Sequence, residues 1–163
     1  MLYNLKESDI MIIEVPSYPT SLEFKPQRIS CYNPIFDNEL SDMVDNSGTK
    51  EDFAGLYNQR LRWLDAKKEH CFLHRQWFER LKHDKSKCLF SMKFKSGTFK
   101  QNLRILFICT KQKAILLTAF VEKDAKSESN TSYNKNVKIA NDRIESLINS
   151  GKLERNDIIC HSK

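Results

Sequence analysis

Cys88, Phe90, Met92 and Phe94 alternate with Leu89, Ser91, Lys93 and Lys95, and the stretch NLRILFICTKQKAILLTAFVEK (Asn102 to Lys123) follows a few residues later. Alternation with a period of two marks a strand with one buried and one wetter face. The two apolar runs within Asn102 to Lys123 are long enough for strands and are joined by a polar turn at Lys111-Gln112. A chain with this segment must build a sheet and cover at least one of its faces. Ser96-Gly97 reads as a two-residue hairpin turn, with glycine supplying positive φ. That register pairs Phe94 with Phe99, Met92 with Gln101 and Phe90 with Leu103, and places Lys93 opposite Lys100, Ser91 opposite Asn102 and Leu89 opposite Arg104. The second turn then pairs Leu103 with Phe120, Ile105 with Thr118 and Phe107 with Leu116, leaving Arg104 opposite Ala119.

The remaining elements are helices and shorter strands. Ile10 to Val15 reads as a strand stopped by Pro16, and Leu22 to Tyr32 as a second extended piece. Asn33-Pro34 starts a short acidic helix whose apolar face is Ile35, Leu40, Met43 and Val44, ending near Gly48. Thr49 and Asp52 resemble a capping box ahead of Phe53, Leu56, Tyr57, Leu61 and Leu64, which recur at helical spacing. Leu73, Trp77 and Leu81 continue a similar pattern, with a hairpin turn expected near Lys67 to His70. A last helix from about Asn130 to Asn149 carries Tyr133, Val137, Ala140, Ile144 and Leu147 on one stripe and stops at Gly151. Its stripe is expected on the Phe90/Leu103/Phe120 face. The tail from Lys152 is polar apart from Ile158-Ile159, a composition that permits mobility.

With 163 residues and 40% hydrophobic content the chain is expected to form one domain, residues 1–163, with a real core. No apolar run is long enough to cross a bilayer, no signal-peptide pattern opens the chain, and no membrane partner is expected. Five cysteines without paired spacing fit a reducing cytosol better than a disulfide scaffold. From Lys85 to Lys126 there are ten Lys/Arg and two acids, a charge of +8, so the remainder of the +6 chain sums to −2. A basic sheet segment in a nearly neutral protein suggests a polyanionic partner such as a phosphate backbone, with a solvated lysine-rich surface as an equal alternative. Lys93, Lys95, Lys100 and Arg104 share one face in this register, beside Ser91 and Asn102. Like charges facing one another across a sheet repel, so stability alone does not collect them. Arg104, with Ala119 across from it, lacks the carboxylate that a structural arginine would have.

His70, Cys71, His74, His83 and Cys88 fit no zinc spacing, and no metal or other cofactor is expected. Trp63, Trp77, Phe72 and Phe78 suggest a base-stacking platform, but their spacing favours packing in the core or against a partner. The acids Asp37, Glu39, Asp42 and Asp45 read as a solvated helix face.

LFSMKF, LRILF, ILLTAFVEK and YNKNVKIANDRI, preceded by WFERLK, resemble the successive motifs of RelE/HigB-type toxins, in particular the phage Gp49-like branch of the RelE/ParE superfamily. The resemblance spans Trp77 to Leu147, about half the chain. It implies residues 77–150 as a RelE/HigB-like core, preceded by N-terminal strands and helices in 1–70 and followed by a tail, 151–163. The implied fold is α+β, with helices on one face of a twisted, mostly antiparallel sheet whose other face is concave and basic. The implied activity is that of the toxin of a type II toxin–antitoxin pair, a cytoplasmic, metal-independent endoribonuclease cutting mRNA on the ribosome. A helix-turn-helix antitoxin would be its partner.

Such cleavage needs a group to activate the ribose 2′-hydroxyl, a cation for the phosphorane charge and an acid for the leaving 5′-oxygen. Arg104 matches the motif arginine and is the candidate for phosphate stabilisation. Lys93 matches a basic position on the first core strand and is the next candidate, for phosphate contact or proton transfer. Lys95, Lys100, Asn102 and Lys123 are candidate RNA contacts. His161 is a candidate acid, although a histidine so near a C-terminus is more often simply exposed. The family's FvKK reads FVEK here, with Glu122 in place of a lysine, and its late Tyr or His has no secure counterpart, Tyr133 being read as packing. The alternatives are a ParE-like gyrase inhibitor, which shares the fold, and a non-catalytic binding or phage-accessory protein.

Overall fold

The computed structural model describes residues 11–13, 24–47, 50–81, 87–94, 102–122 and 126–161. It is α+β. Six strands, β1 (Met11–Ile13), β2 (Ile29–Asn33), β3 (Phe78–Arg80), β4 (Phe90–Phe94), β5 (Asn102–Cys109) and β6 (Ala114–Glu122), form one sheet in the order β1-β2-β6-β5-β4-β3. The helices are α1 (Ile35–Ser47), α2 (Lys50–Lys67) and α3 (Lys126–Asn149). The expectation of a mostly antiparallel sheet is corrected to a mixed one, because β2 lies parallel to β6. The chain leaves β2 through α1 and α2 before returning, and a parallel neighbour needs a crossover of that kind.

Register departs from the expectation in two places. Phe94 pairs with Leu103, Met92 with Ile105, Phe90 with Phe107 and Lys93 with Arg104. This is four residues from the tight-turn register; the expected turn at Ser96-Gly97 lies outside the described residues. The observed pairing sets three apolar side chains against three others, where the tight turn would set Met92 against Gln101. Because the shift is even, every side chain keeps its face. In β5–β6, Phe107 pairs with Leu116 as expected, but a bulge between Leu106 and Phe107 moves Arg104 opposite Phe120 and Leu103 opposite Val121. One extra residue in β6 changes every later pair by one.

These registers sort the side chains. Phe90, Met92, Phe94, Leu103, Ile105 and Ala119 share one face, whereas Ser91, Lys93, Arg104, Leu106, Thr118 and Phe120 share the other. On the first face α2 packs Phe53 against Phe94, with ring centroids 4.7 Å apart. On the second, Tyr133 of α3 meets Phe120 edge-on at 5.8 Å. The expected placement of the helices on a single face is therefore corrected: both faces are covered, and the last helix takes the Phe120 side, not the Leu103 side. Alternation explains why, since Ser91 and Thr118 on the second face are also fully buried.

α1 fills the margin of β6. β2 pairs only with Ala114 to Leu116, so the outer backbone groups of the next residues need other partners. Glu39 of α1 accepts the Ala119 N–H at 3.4 Å, Arg143 of α3 donates to the Leu117 carbonyl at 2.6 Å, and the Ser132 hydroxyl donates to the Val121 carbonyl at 3.2 Å. Arg143 and Glu39 are themselves joined through two hydrogen bonds of 2.7 Å. Glu39 is thus a clasp and not part of a solvated acidic face.

α2 ends at Lys67, where the turn was expected; Lys68 has φ 47° and begins a 3-10 segment, Lys68–Leu73. The continuation of helical pattern through Trp77 and Leu81 is corrected, because Phe78–Arg80 is strand β3 at the sheet edge. Thr49, half of the expected capping box, lies outside the described residues. At the C-terminus α3 stops at Gly151, φ 77°, as expected for a left-handed cap. The following tail is docked: Asp157 and Ile159 bond to Lys111 and Cys109, and His161 N donates to the Lys87 carbonyl. Cys160 forms a disulfide with Cys88, 72 residues earlier, while Cys31, Cys71 and Cys109 are free and buried. The reading of unpaired cysteines is corrected accordingly: the partners are remote in sequence and meet because the tail folds back on β4. Among the described residues no helix is long and apolar enough to cross a membrane.

Candidate functional site

The β4–β5 register brings Lys93 and Arg104, the two cations singled out by sequence, into direct cross-strand opposition. β3 adds Glu79 beside Ser91 on the same face, and β6 adds Glu122 across from Asn102. Arg104 Nε donates to Glu122 Oε2 at 2.7 Å and Nη1 donates to Glu79 Oε1 at 2.9 Å. The expectation that Arg104 has no carboxylate is overturned. The bulge rotates its neighbours by one place, and the nearer acid, Glu122, sits diagonally on β6, while the other comes from a strand read as helix.

α3 closes this group from above. The Arg104 guanidinium lies 5.8 Å from the Tyr133 ring centroid, and the Tyr133 hydroxyl donates to Glu79 Oε1 at 3.3 Å. The Ser91 hydroxyl faces the Tyr133 phenol without a hydrogen bond of ordinary geometry. Burial pushes the Tyr133 phenol up to about 12; Ser91 and Arg104 pull against the rise, and Glu79 and Glu122 add to it. The phenol is therefore a proton donor at neutral pH. The side chain of Arg104 is 17% exposed and that of Glu122 14%, but Glu79 is 41% exposed, so solvent reaches the cluster past Glu79.

Of the other candidates, Asn102 is half-buried at the start of β5, two residues from Arg104 and on its face. Lys95, Lys100 and Lys123 lie outside the described residues. His161 is not brought to Arg104. Its Nε2 lies 2.7 Å from the Leu89 carbonyl, and its ring stands edge-on to Phe90, whose side chain is on the opposite face. Glu79 and Tyr133 are the members that sequence reasoning did not place in the site. The signal for Tyr133 was present, as a polar-tipped aromatic at the head of a helical stripe. Glu79 gave none, because three residues of edge strand carry no readable period.

Comparison of the chain with protein-family models, with curated proteins and with solved structures finds no match.

Proposed function

We propose that the chain is a RelE/HigB-type toxin, an endoribonuclease that cuts mRNA through attack of a ribose 2′-hydroxyl on the adjacent phosphate. The observation that carries this reading is the opposition of Lys93 and Arg104 on neighbouring strands, two cations in register where the resembling motifs have basic residues. In this reading a phosphate oxygen approaches Arg104 through Nη2, the nitrogen that neither carboxylate engages, and displaces Glu79, the more exposed of its two partners. Arg104 then carries the charge that builds on the phosphorane. Lys93 holds a second oxygen as its ammonium or, as the neutral amine, accepts the 2′-proton, and the protonated Tyr133 phenol supplies the proton to the 5′-oxygen. The ribosome, the mRNA and a helix-turn-helix antitoxin are the partners this reading requires, and the cytoplasm its compartment.

Glu122 gives specific support to a second reading, a non-catalytic binding protein with the same strand order. It stands where the resembling motif has lysine, and it binds Arg104 at 2.7 Å. Induced expression of the parent and of Lys93→Ala, with mapping of mRNA 5′ ends, separates the two. Cuts within translated codons in the parent that vanish in the variant support the nuclease. Growth arrest with an SOS response and intact mRNA supports gyrase inhibition instead, and growth without arrest supports the binding protein.

A further inference from the structure

The end of α2 and the segment leading into β3 form a shoulder of aromatic rings, of which Trp63, Phe72 and Trp77 each lie beside a cation. Lys67 Nζ lies 5.2 Å from the Trp63 ring centroid, and the Arg80 guanidinium lies 4.0 Å from that of Phe72. His74 stacks on Trp77 at 3.8 Å with 10° between the planes, and Trp63 meets His74 edge-on at 5.5 Å. These rings are half-buried, not part of the closed core, and Leu73 beside them is 66% exposed, the one large hydrophobic that is exposed among the described residues. Of the four aromatics from which a stacking platform was considered, only Phe78 is fully buried.

The shoulder carries both signs, Asp65, Glu69 and Glu79 against Lys67, Lys68, Arg75 and Arg80. Each acid of the segment is already engaged: Asp65 accepts the Gln27 and Arg28 amides, Glu69 pairs with Lys68, and Glu79 with Arg104. Lys67, Arg75 and Arg80 have no carboxylate partner among the described residues. Stacking rings beside cations that no carboxylate of the described residues engages fit the alternating bases and phosphates of a single strand. The shoulder also adjoins the backbone at Lys93, whose amide donates to the Trp77 carbonyl at 2.7 Å and whose carbonyl accepts from Arg60 Nε at 2.7 Å, while the Lys93 side chain lies on the other face of the sheet.

We propose that this shoulder is a docking track for single-stranded RNA flanking the phosphate at Lys93, with bases stacking at His74 and Phe72 and phosphates meeting Lys67, Arg75 and Arg80. The proposal rests on the nuclease reading only for the choice of RNA as the strand. The test is fluorescence anisotropy of a short labelled single-stranded RNA with the full chain across a salt series. Lys67→Gln/Arg75→Gln changes two exposed side chains. It should weaken binding about tenfold and flatten the slope of log K against log salt by about 1.4, about 0.7 for each phosphate no longer neutralised. His74→Ala should weaken binding about fivefold with the slope unchanged, since stacking releases no counterions. Parental affinity in both variants, at unaltered thermal stability, overturns the track. So does a parent that binds the duplex of the same sequence as tightly as the single strand, or a double variant that loses a protein complex while keeping its RNA affinity. RNA binding with these responses in a chain that cuts no mRNA leaves the track standing and removes the nuclease. Cleavage by a chain whose variants bind RNA as the parent does has the reverse meaning.

Discussion

Replacing Arg104 with methionine should destabilise the protein through the acids it leaves behind. Glu122, 14% exposed, loses a cation at 2.7 Å. Breaking a fully buried pair this way costs ~3–5 kcal/mol, and the residual exposure of both partners brings the term to about 2 kcal/mol. Glu79 is 41% exposed and can turn to water, so its share is under about 1 kcal/mol. The total of about 2–3 kcal/mol should appear in urea denaturation as a lower midpoint at unchanged m-value. Adding Glu122→Gln removes that carboxylate's charge and should recover most of the loss, to within about 1 kcal/mol of the parent, as neutral replacement of a buried pair commonly does. A loss below about 1 kcal/mol in Arg104→Met, or a double variant no more stable than the single, would refute the assignment of Arg104 as the centre of a buried ion cluster.

Tyr133→Phe deletes the hydrogen bond to Glu79 and should cost ~0.5–1.5 kcal/mol. The phenol's pKa is raised to about 12 in the fold, so its contribution is full below the unfolded value of ~10 and is lost as pH rises toward 12; the variant should show a shallower alkaline decline in the urea midpoint, and an unchanged decline would contradict the burial of the phenol. Arg143→Met removes the donor to the Leu117 carbonyl and the partner of Glu39, and hydrogen exchange should show the Ala119 amide losing protection together with a stability loss of about 3 kcal/mol. Mass spectrometry of the non-reduced protein should find a Cys88–Cys160 peptide, with Cys31, Cys71 and Cys109 inert to maleimide until unfolding. Cys160→Ser should cost ~2–4 kcal/mol, and a native protein with five reactive thiols would contradict the docked tail.

The face of each residue in β4 and β5 was legible in the sequence, because alternation is local and survives any even shift of register; the faces of Thr118, Ala119 and Phe120 in β6 were not, because the bulge shifts them by one. The partner of each residue was not. The bulge at Leu106/Phe107 leaves no mark in a run where every residue is apolar, and the connection after Phe94 could be measured only by finding where β5 begins to pair. Arg104 shows the consequence: its face was correct, its β6 neighbour was one place off and its β4 neighbour four, and the inference that it lacks a carboxylate failed with them. The start of α1 and the end of α3 were legible from Asn33-Pro34 and Gly151, which punctuate the chain by backbone chemistry, whereas α3 begins at Lys126, four residues before the expected Asn130. β3 was not, since its apolar residues Trp77 and Leu81 also satisfy a helical spacing. The Cys88–Cys160 pairing depends on a tail whose composition gives no sign of docking.

The central claim is that Lys93 and Arg104 serve the attack of a 2′-hydroxyl on phosphate, and the chemistry of the cut ends tests it most directly. Purified protein is incubated with ribosomes programmed with a defined mRNA, and the fragment ends are identified by mass spectrometry. The account predicts a 2′,3′-cyclic phosphate, or the monophosphate from its opening, on the upstream fragment and a 5′-hydroxyl on the downstream one, with both absent in Lys93→Ala. Intact mRNA, or fragments ending in 3′-hydroxyl and 5′-phosphate, would contradict it.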